Sequence, residues 1–386
     1  MKKIFPIFFL PILIACSNKT VSISGELSGM SIGDTLCFTT SIPPFFENEH
    51  TDTIIATGED FAFEIPATHT IVGYLTHHHD GHSSGPYDII ARPGDHLNIS
   101  GQIETLGGAH ISGGLYNLPD VNRLCSLGAP IDSTKSLYSR KLTLFSIENK
   151  TDSIAKYSSL YNKIDYPDEY KALWQTMRDS ADHEYAAYMC MKRIYKYTAD
   201  ELDERVKRFS VATQQCYMVN ELRQIVSILR NIDVGNSLPD YTLIDNTEKS
   251  HSLYQYRDKY LLLYYYGLCP GVIFYSESKI EKLYNKYHDK GLEIIGICRD
   301  GDINARYPQL ISKDKDIRSL VTHPYATVYA TDDRNKYLQR ELFLIVTPTM
   351  ILIAPDGKTL ARGNNNVHKK IDKILQEALI EKGENL

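Results

Sequence analysis

The spacing of apolar and polar residues divides the chain into three regions. From about 20 to 113, apolar residues recur at every second position in short segments such as 61–65, a period typical of half-buried β-strands. Turn signals such as Gly33-Asp34 and Pro93-Gly94-Asp95 separate these segments. The pattern predicts a small antiparallel β sandwich or barrel as the first domain of a multidomain chain.

The middle region, from about 115 to 233, has a helical period instead. Between 218 and 229, apolar residues recur at i, i+4, i+7 and i+11, which places them on one face of a helix. The mixed charges of 203–208 are typical of a solvent-exposed helix face. We interpret this region as a helical spacer or docking layer without visible chemistry, followed by a linker at 235–239.

Strands and helices alternate in the C-terminal region. A continuous apolar run at 260–266 and the mainly apolar segment 292–297 predict strands buried on both faces, with an amphipathic helix at 273–290 between them. Such alternation predicts an α/β layer with a largely parallel core. The remaining elements predicted here are strands at 350–353 and 359–362 and a helix from about 367 to 382.

The first residues predict where the protein resides. Two lysines precede an apolar run that is too short to span a membrane, and the run ends at Leu13-Ile14-Ala15-Cys16, which resembles the lipobox of bacterial lipoproteins. The resemblance implies that 1–15 is a cleaved signal peptide and that Cys16 carries the lipid. Because no Asp follows Cys16, it also implies an outer-membrane protein facing the periplasm. An ordinary secretory signal with a chance cysteine is the alternative.

Charge and cysteine content exclude several functions. The 386 residues carry a net charge of −6, from 42 basic and 48 acidic side chains, so the chain offers no basic field and we expect no nucleic acid partner. The seven cysteines are widely spaced and form no Cys-x-x-Cys pair, which argues against a zinc ribbon or a dense disulfide framework. We expect no bound cofactor, and contact with the membrane only through the lipid.

Three motifs in the C-terminal region occur in a characteristic order. They are 238–243 (LPDYTL), 286–297 (KYHDKGLEIIGI), and 346–349 (VTPT) followed by 351–353 and 355–358. In this order they resemble the thioredoxin-like family, specifically its tethered thiol–disulfide oxidoreductases of the cytochrome-maturation type. The resemblance covers about 238–386 and implies a thioredoxin-like α/β fold.

The resemblance also implies a substrate groove. In this family the proline that corresponds to Pro348 is cis and lies against the redox site, so that the backbone of the preceding residue, here Thr347, can pair with an extended substrate segment. A trans proline that opens an edge strand is the alternative. The partners implied are protein or peptide thiols of the periplasm.

The N-terminal β region has a resemblance of its own. Thr51-Asp52-Thr53, the strand signal Gly58-Glu59-Asp60-Phe61-Ala62-Phe63 and the turn at 91–95 resemble a domain of unknown function that often precedes a thioredoxin domain in envelope lipoproteins. The resemblance assigns no activity to this region.

The redox motif of the family is degenerate in this chain. A Cys-x-x-Cys motif works because the start of a helix stabilises the first thiolate and the second cysteine, one turn later, resolves the mixed disulfide. Here 267–272 reads GLCPGV, with Cys269 at the nucleophile position, Pro270 suited to open the helix, and Val272 at the resolving position. An ungapped count from the following helix places Pro270 at the nucleophile position instead. In either alignment a two-cysteine cycle at this motif is excluded.

Two further functional positions of the family have become apolar. The tryptophan before the first cysteine is Leu268, and the buried carboxylate six residues before that cysteine is Leu263. The Cys-Pro dipeptide at Cys269 is similar to that of peroxiredoxins, but the threonine that they need three residues earlier is Tyr266. The sequence therefore disfavours a peroxidase.

Cys298 is a candidate resolving thiol. It follows the predicted strand 292–297, which we expect to lie beside the strand that ends before Cys269, at the ~4.8 Å spacing of neighbouring strands. A disulfide needs Cα atoms within ~7 Å, so a Cys269–Cys298 pair is a hypothesis. The alternative is that Cys298 is a small buried residue.

One histidine cluster suggests a metal site. His77 and His79 would share one face of a strand, and His82 could fold back from the turn at Asp80-Gly81. Neutral imidazoles suit zinc or copper. The alternative is a solvated hairpin loop that is rich in polar residues.

Two functions follow from these observations. One is a binding or accessory module in periplasmic thiol or redox homeostasis, in which the groove at Thr347 and Pro348 holds a partner. The other is monothiol exchange at Cys269, with an external thiol or Cys298 resolving the mixed disulfide. If the chain is an enzyme, it is at most a thiol–disulfide oxidoreductase without the second cysteine.

Overall fold

The computed structural model describes residues 19–42, 44–45, 47–79, 82–148, 150–267, 270–302, 323–364 and 366–381. The chain divides into two compact units, of which the first ends at Tyr188 and the second begins at Met189. This division falls inside the helical region 115–233 that we interpreted as a spacer. The predicted domain boundaries themselves stay predictions.

The described part of the first unit has two four-stranded sheets. One has the strand order β4-β1-β7-β8 and the other the order β3-β2-β5-β6. The strands are β1 (Thr20–Ser28), β2 (Thr35–Ile42), β3 (Glu47–Ile55), β4 (Asp60–Pro66), β5 (Ile71–His79), β6 (His82–Ala91), β7 (His96–Gln102) and β8 (His110–Ser112).

The two sheets enclose one apolar core. Along β4 the buried residues are Phe61, Phe63 and Ile65, which alternate with exposed ones as the sequence period predicted. The rings of Phe38 on β2 and Phe63 on β4 lie 6.2 Å apart, so the inner faces of the two sheets meet. This arrangement is a sandwich and confirms the predicted β domain.

One strand pair of the otherwise antiparallel sandwich runs in parallel. β1 pairs antiparallel with β4 but parallel with β7, where Ile23 lies opposite Leu97. Between β4 and β7 the chain passes through β5 and β6 in the other sheet. The chain therefore returns to the first sheet at the end where β1 begins, and β7 runs beside β1 in the same direction.

Four helices follow, the last of which crosses the boundary between the units. They are α1 (Pro119–Ile147), α2 (Thr151–Asn162), α3 (Asp168–Asp179) and α4 (Glu184–Met191). Stacked rings next to α3 tie it to α1: Tyr166 and Tyr170 lie 4.3 Å apart, the Lys135 ammonium lies 4.0 Å above Tyr166, and the Tyr166 hydroxyl donates to Asp132. The helical character of this region is thus confirmed.

The second unit begins with two helices, α5 (Ala199–Lys207) and α6 (Tyr217–Ile232). Thr198 caps α5 in a reciprocal arrangement with Glu201: the Glu201 amide donates to the threonine hydroxyl at 3.3 Å, and the Thr198 amide donates to the carboxylate at 2.9 Å. The face of α6 predicted at 218–229 is buried, as expected.

A mixed five-stranded sheet forms the rest of the second unit, with the order β13-β12-β11-β14-β15. β11 is parallel to β12 and antiparallel to β14, so only half of the sheet has the parallel core that was predicted. The elements are β9 (Thr242–Ile244), β10 (Ser250–Ser252), β11 (Tyr260–Tyr266), α7 (Pro270–Tyr287), β12 (Leu292–Cys298), β13 (Ala326–Tyr329), α8 (Tyr337–Glu341), β14 (Thr349–Ile353), β15 (Thr359–Gly363) and α9 (Val367–Gln376), which a π-helical turn (Glu377–Glu381) extends.

Alternate side chains of β11 enter the apolar core that α7 and α9 cover. Leu262, Tyr264 and Tyr266 pack in one buried cluster with residues of both helices, among them Ile280 and Ile371. The sequence run 260–266 predicted this strand because burial on both faces requires an unbroken apolar segment. None of the described helices combines the length and apolarity that a membrane span requires.

Helix α6 contacts the α/β part directly. Arg340 of α8 donates to the Gln224 side chain at 2.5 Å and lies 3.7 Å from the Glu221 carboxylate. The Asn236 side chain donates to the Arg230 carbonyl, which ties the end of α6 to the following linker. These contacts make α6 part of the second unit and not a free connector.

The side chain of Asn335 takes the place of a peptide group beside β9. Its amide nitrogen donates to the Ile244 carbonyl at 2.8 Å, and its amide oxygen accepts from the Ile244 N–H at 3.0 Å. Asn335 is fully buried, so both backbone groups of Ile244 find partners without water.

Candidate functional site

The carboxyl end of β11 leads into the degenerate redox motif. After Tyr266 and Gly267 the next described residue is Pro270, the first residue of α7, as the sequence predicted. Leu268 and Cys269 lie outside the described residues, so the place of the candidate nucleophile stays a prediction. Val272 lies in the first turn of α7, and its side chain is also outside the described set.

The position of the family carboxylate is an aliphatic one. Leu263 is 1% exposed, and its strand neighbours are Ile295 on β12 and Ile351 on β14. A carboxyl group at this position would have lain between two apolar side chains, where burial favours the protonated form. With leucine here, the strand offers no proton acceptor at this level.

An ion pair lies against the strand end where the motif begins. Arg299 follows β12, its backbone N–H donates to the Tyr266 carbonyl at 2.8 Å, and its Nε donates to Asp300 at 3.0 Å. A Cβ atom at Gly267 would lie 2.9 Å from the Asp300 carboxylate and 3.0 Å from the guanidinium carbon. Glycine at 267 therefore makes room for this pair.

Sequence reasoning missed the Arg299–Asp300 pair. The available signal was that charged residues follow one buried strand while glycine follows its predicted neighbour. Because the carboxyl ends of parallel strands meet at one edge of a sheet, these residues could have been placed together.

Cys298 ends β12, and its burial disfavours the thiolate. It lies opposite Tyr266 in the register of β11 and β12, so the predicted adjacency of these strands is confirmed. It is a free cysteine and fully buried, and burial raises the pKa of its thiol to about 11. A protonated, buried thiol is a weak nucleophile, which argues against a resolving role. The pairing with Cys269 concerns a residue outside the described set and stays a prediction.

The loop before β14 has the backbone form that the resemblance implied. The Thr347–Pro348 peptide bond is cis. Pro348 is buried and Thr347 is half-buried, and neither backbone group of Thr347 is hydrogen-bonded to another described residue. The groove role of Thr347 and Pro348 stays a prediction.

Arg362 anchors the turn that precedes this loop. Phe343, two residues after α8, has a positive φ of 49°, a conformation that glycine usually supplies after a helix, and its ring is buried. Arg362 on β15 donates to the Phe343 carbonyl at 3.1 Å and places its guanidinium 5.4 Å from the ring. The backbone that leads to Thr347 is thus tied to the sheet.

Comparison with protein families identifies this part of the chain. Residues 233–379 match the model of the Redoxin family. The C-terminal part is a thioredoxin-like domain. No curated protein matches the chain.

Solved structures similar to the redoxin domain come from several bacteria. The thioredoxin domain of a thiol-disulfide oxidoreductase from Bacteroides vulgatus is 23% identical, with a TM-score of 0.30, over 37% of this chain and 98% of that one. A putative thiol:disulfide interchange protein DsbE from Chlorobium tepidum is 19% identical, with a TM-score of 0.31, over 38% and 98%. A thiol-disulfide oxidoreductase from Bacteroides fragilis is 22% identical, with a TM-score of 0.29, over 36% and 99%.

Outside the redoxin domain, the predicted histidine cluster is organised around an aspartate. His77 Nε2 donates to one Asp34 oxygen at 2.8 Å, and His79 Nδ1 donates to the other at 2.5 Å. The Ser31 amide also donates to Asp34, at 2.9 Å. Sequence reasoning read Asp34 only as part of a turn, although His77 and His79 face one side of β5 as predicted.

The Asp34 carboxylate is held ionised by its partners. Burial alone would raise its pKa, but the hydrogen bonds from both imidazoles and from a backbone amide outweigh that effect and lower it to about 2. No group of three or more side chains that could hold a metal occurs among the described residues. The side chain of His82 is not described, so the three-histidine site stays a prediction.

We expect Asp34→Asn to lower the stability of the first unit by about 1 to 2 kcal/mol at pH 7. Because the folded-state pKa of Asp34 is depressed, the stabilisation is present above the ordinary pKa of 3.8 and is lost as the pH falls towards 2. Urea unfolding followed by the fluorescence of Trp174, the single tryptophan, measures this difference. Asp60→Asn, at an exposed position, is the control. A wild-type and Asp34→Asn difference that does not shrink between pH 5 and 2 would contradict the assignment.

Proposed function

We propose that the protein is an envelope lipoprotein whose redoxin domain binds a protein or peptide partner in periplasmic thiol or redox homeostasis, without completing a redox cycle itself. The observation that carries this proposal is that the domain has the thioredoxin-like fold, but aliphatic residues occupy positions that the redox reaction of the family needs. The resolving position is Val272, and the carboxylate position, Leu263, lies between Ile295 and Ile351. An aliphatic side chain closes no disulfide and accepts no proton.

The backbone around Pro348 supports a binding role. The peptide groups of Thr347 have no hydrogen-bond partner among the described residues, and an extended segment could pair with them as a strand pairs with a sheet edge. The similar proteins are named thiol-disulfide oxidoreductases and interchange proteins. We therefore propose protein or peptide thiols as the partner class.

We expect the purified protein to reduce insulin no faster than dithiothreitol alone. In cells, a photo-crosslinking amino acid at Thr347 should give the same adducts in the parent chain and in Cys269→Ser, because binding does not need the thiol. The exposed position Thr331 serves as the matched control. Insulin reduction, adducts that disappear with Cys269→Ser, or no adduct beyond the Thr331 background would each contradict a binding module.

Monothiol exchange is the second candidate, because Cys269 directly precedes the first residue of α7. The N–H groups and dipole at a helix start stabilise a thiolate. In this reaction the Cys269 thiolate attacks a substrate disulfide, a mixed disulfide forms, and one substrate thiolate leaves. An external thiol then attacks the mixed disulfide, releases the Cys269 thiolate, and is itself joined to the second substrate sulfur.

The pH dependence of Cys269 alkylation separates the two candidates. For a binding module we expect a midpoint near the reference pKa of ~8.5, and for exchange a midpoint at least about one pH unit lower. Mass spectrometry of the Cys269 peptide measures the rate over pH 5 to 10. Cys37, a half-buried thiol in the first unit, is the internal control.

The lipid anchor is a separate part of the proposal. It rests on Leu13-Ile14-Ala15-Cys16 and on the absence of Asp after Cys16, which suggest the periplasmic face of the outer membrane. We expect the protein to incorporate labelled palmitate and to partition with outer membranes, and Cys16→Ser to lose both properties. Cys37→Ser is the matched control. Equal membrane partitioning of the parent chain and Cys16→Ser would refute the anchor.

A further inference from the structure

The redoxin domain buries a carboxyl group that its predicted chemistry does not use. Glu277 lies two turns into α7, and its side chain is 9% exposed. The Tyr264 hydroxyl, from β11, donates to one carboxyl oxygen at 2.9 Å, and the Tyr325 hydroxyl donates to the other at 3.5 Å. Two neutral donors and no cation therefore satisfy this acid among the described residues.

His323 lies next to Glu277 and is equally buried. Its Nδ1 is 3.7 Å from the second oxygen of Glu277, and its side chain is 5% exposed. The ring stacks on Tyr325 at 4.7 Å and meets the edge of Tyr266 at 5.4 Å. Its Nε2 has no hydrogen-bond partner in the described part of the chain. A protonated imidazole would thus leave an N–H without an acceptor in an apolar site, which favours the neutral ring.

The surroundings shift the pKa values of Glu277 and His323 in opposite directions. Burial raises the pKa of Glu277 to about 7, against the effect of the two tyrosine hydroxyls, and nearby Glu281 on the same helix raises it further. Burial lowers the pKa of His323 to about 4. In the unfolded chain the ordinary values are 4.5 for Glu277 and 6.5 for His323.

We propose that Glu277 and His323 form a buried proton-exchange pair that keeps the packing of α7 constant across mildly acidic pH. On folding, one proton leaves the imidazolium of His323 and one binds the carboxylate of Glu277, so both side chains enter the core neutral. The pair carries one proton in either state between about pH 4.5 and 6.5. The proposal does not depend on the function proposed above.

The sign of each contribution follows from linkage. For Glu277, whose folded-state pKa is raised, the contribution to stability is fully present below pH 4.5 and falls as the pH rises to 7. For His323, whose folded-state pKa is lowered, the contribution to stability is fully present above pH 6.5 and falls as the pH drops to 4. Between pH 4.5 and 6.5 the contributions of Glu277 and His323 to the free energy of unfolding change with pH in opposite directions and cancel.

Removal of one partner should expose the slope of the other. We expect Glu277→Gln to lose hydrogen-exchange protection of the 277–287 amides by about 30-fold or more from pH 6.5 to 4.5, since one uncompensated proton changes the opening constant tenfold per pH unit. His323→Gln should lose protection of the same amides by a similar factor as the pH rises from 4.5 to 6.5. The parent chain and the double variant should change less than about threefold over the same range. Asp289→Asn, at an exposed position just after α7, is the matched control.

A measurement on the parent chain covers the case in which a variant does not fold. Carbon-13 NMR of labelled Glu and His side chains at pH 5.5 should find Glu277 protonated and His323 neutral. An ionised pair at that pH, slopes of the same sign in the two single variants, or a slope in Asp289→Asn equal to that of Glu277→Gln would overturn the proposal.

Discussion

Strand β11 is covered on both faces and paired on both edges, and this burial constrains the whole redoxin domain. β12 and β14 flank it, one face packs on α7 and α9, and every residue from Leu261 to Tyr266 is buried. Polar groups on this strand therefore survive only as tyrosine hydroxyls that reach a partner, such as Tyr264 on Glu277. Charged groups collect at its end, where Arg299 and Asp300 lie against Gly267. Leu263, at the position of the family carboxylate, is apolar like the other buried residues of the strand.

The sequence predicted those features that depend on local pattern. The run 260–266 became β11 because seven consecutive apolar residues suit a strand with no exposed face, and Pro270 began α7 because its missing N–H is not needed there. Features that depend on distant contacts escaped. Asp34 lies 43 residues from His77 in the chain, and no local signal joins them. Helix α6 was assigned to a spacer or docking layer without a named partner, because Arg340 lies more than a hundred residues later.

The buried polar groups of the two units differ in how their charge is handled. In the first unit, Asp34 stays ionised because two imidazoles and an amide surround it. In the second unit, Glu277 has hydroxyl donors only, and the protonated form is the one that its site favours. The contrast illustrates how the partner set, and not burial alone, decides the form in which a carboxyl group enters a core. The same consideration applies to Cys298, whose apolar site favours the thiol over the thiolate.

The amide of Asn335 has a consequence beyond its two hydrogen bonds. β9 pairs with β10 along one side, and on its other side only the residue after it, Asp245, bridges to Val328 of β13, so that a short strand of this kind could still present open backbone groups. Those of Ile244 are already bound by a side chain of the same molecule. A strand from a second copy therefore finds this edge occupied, which protects the hairpin from edge-to-edge aggregation.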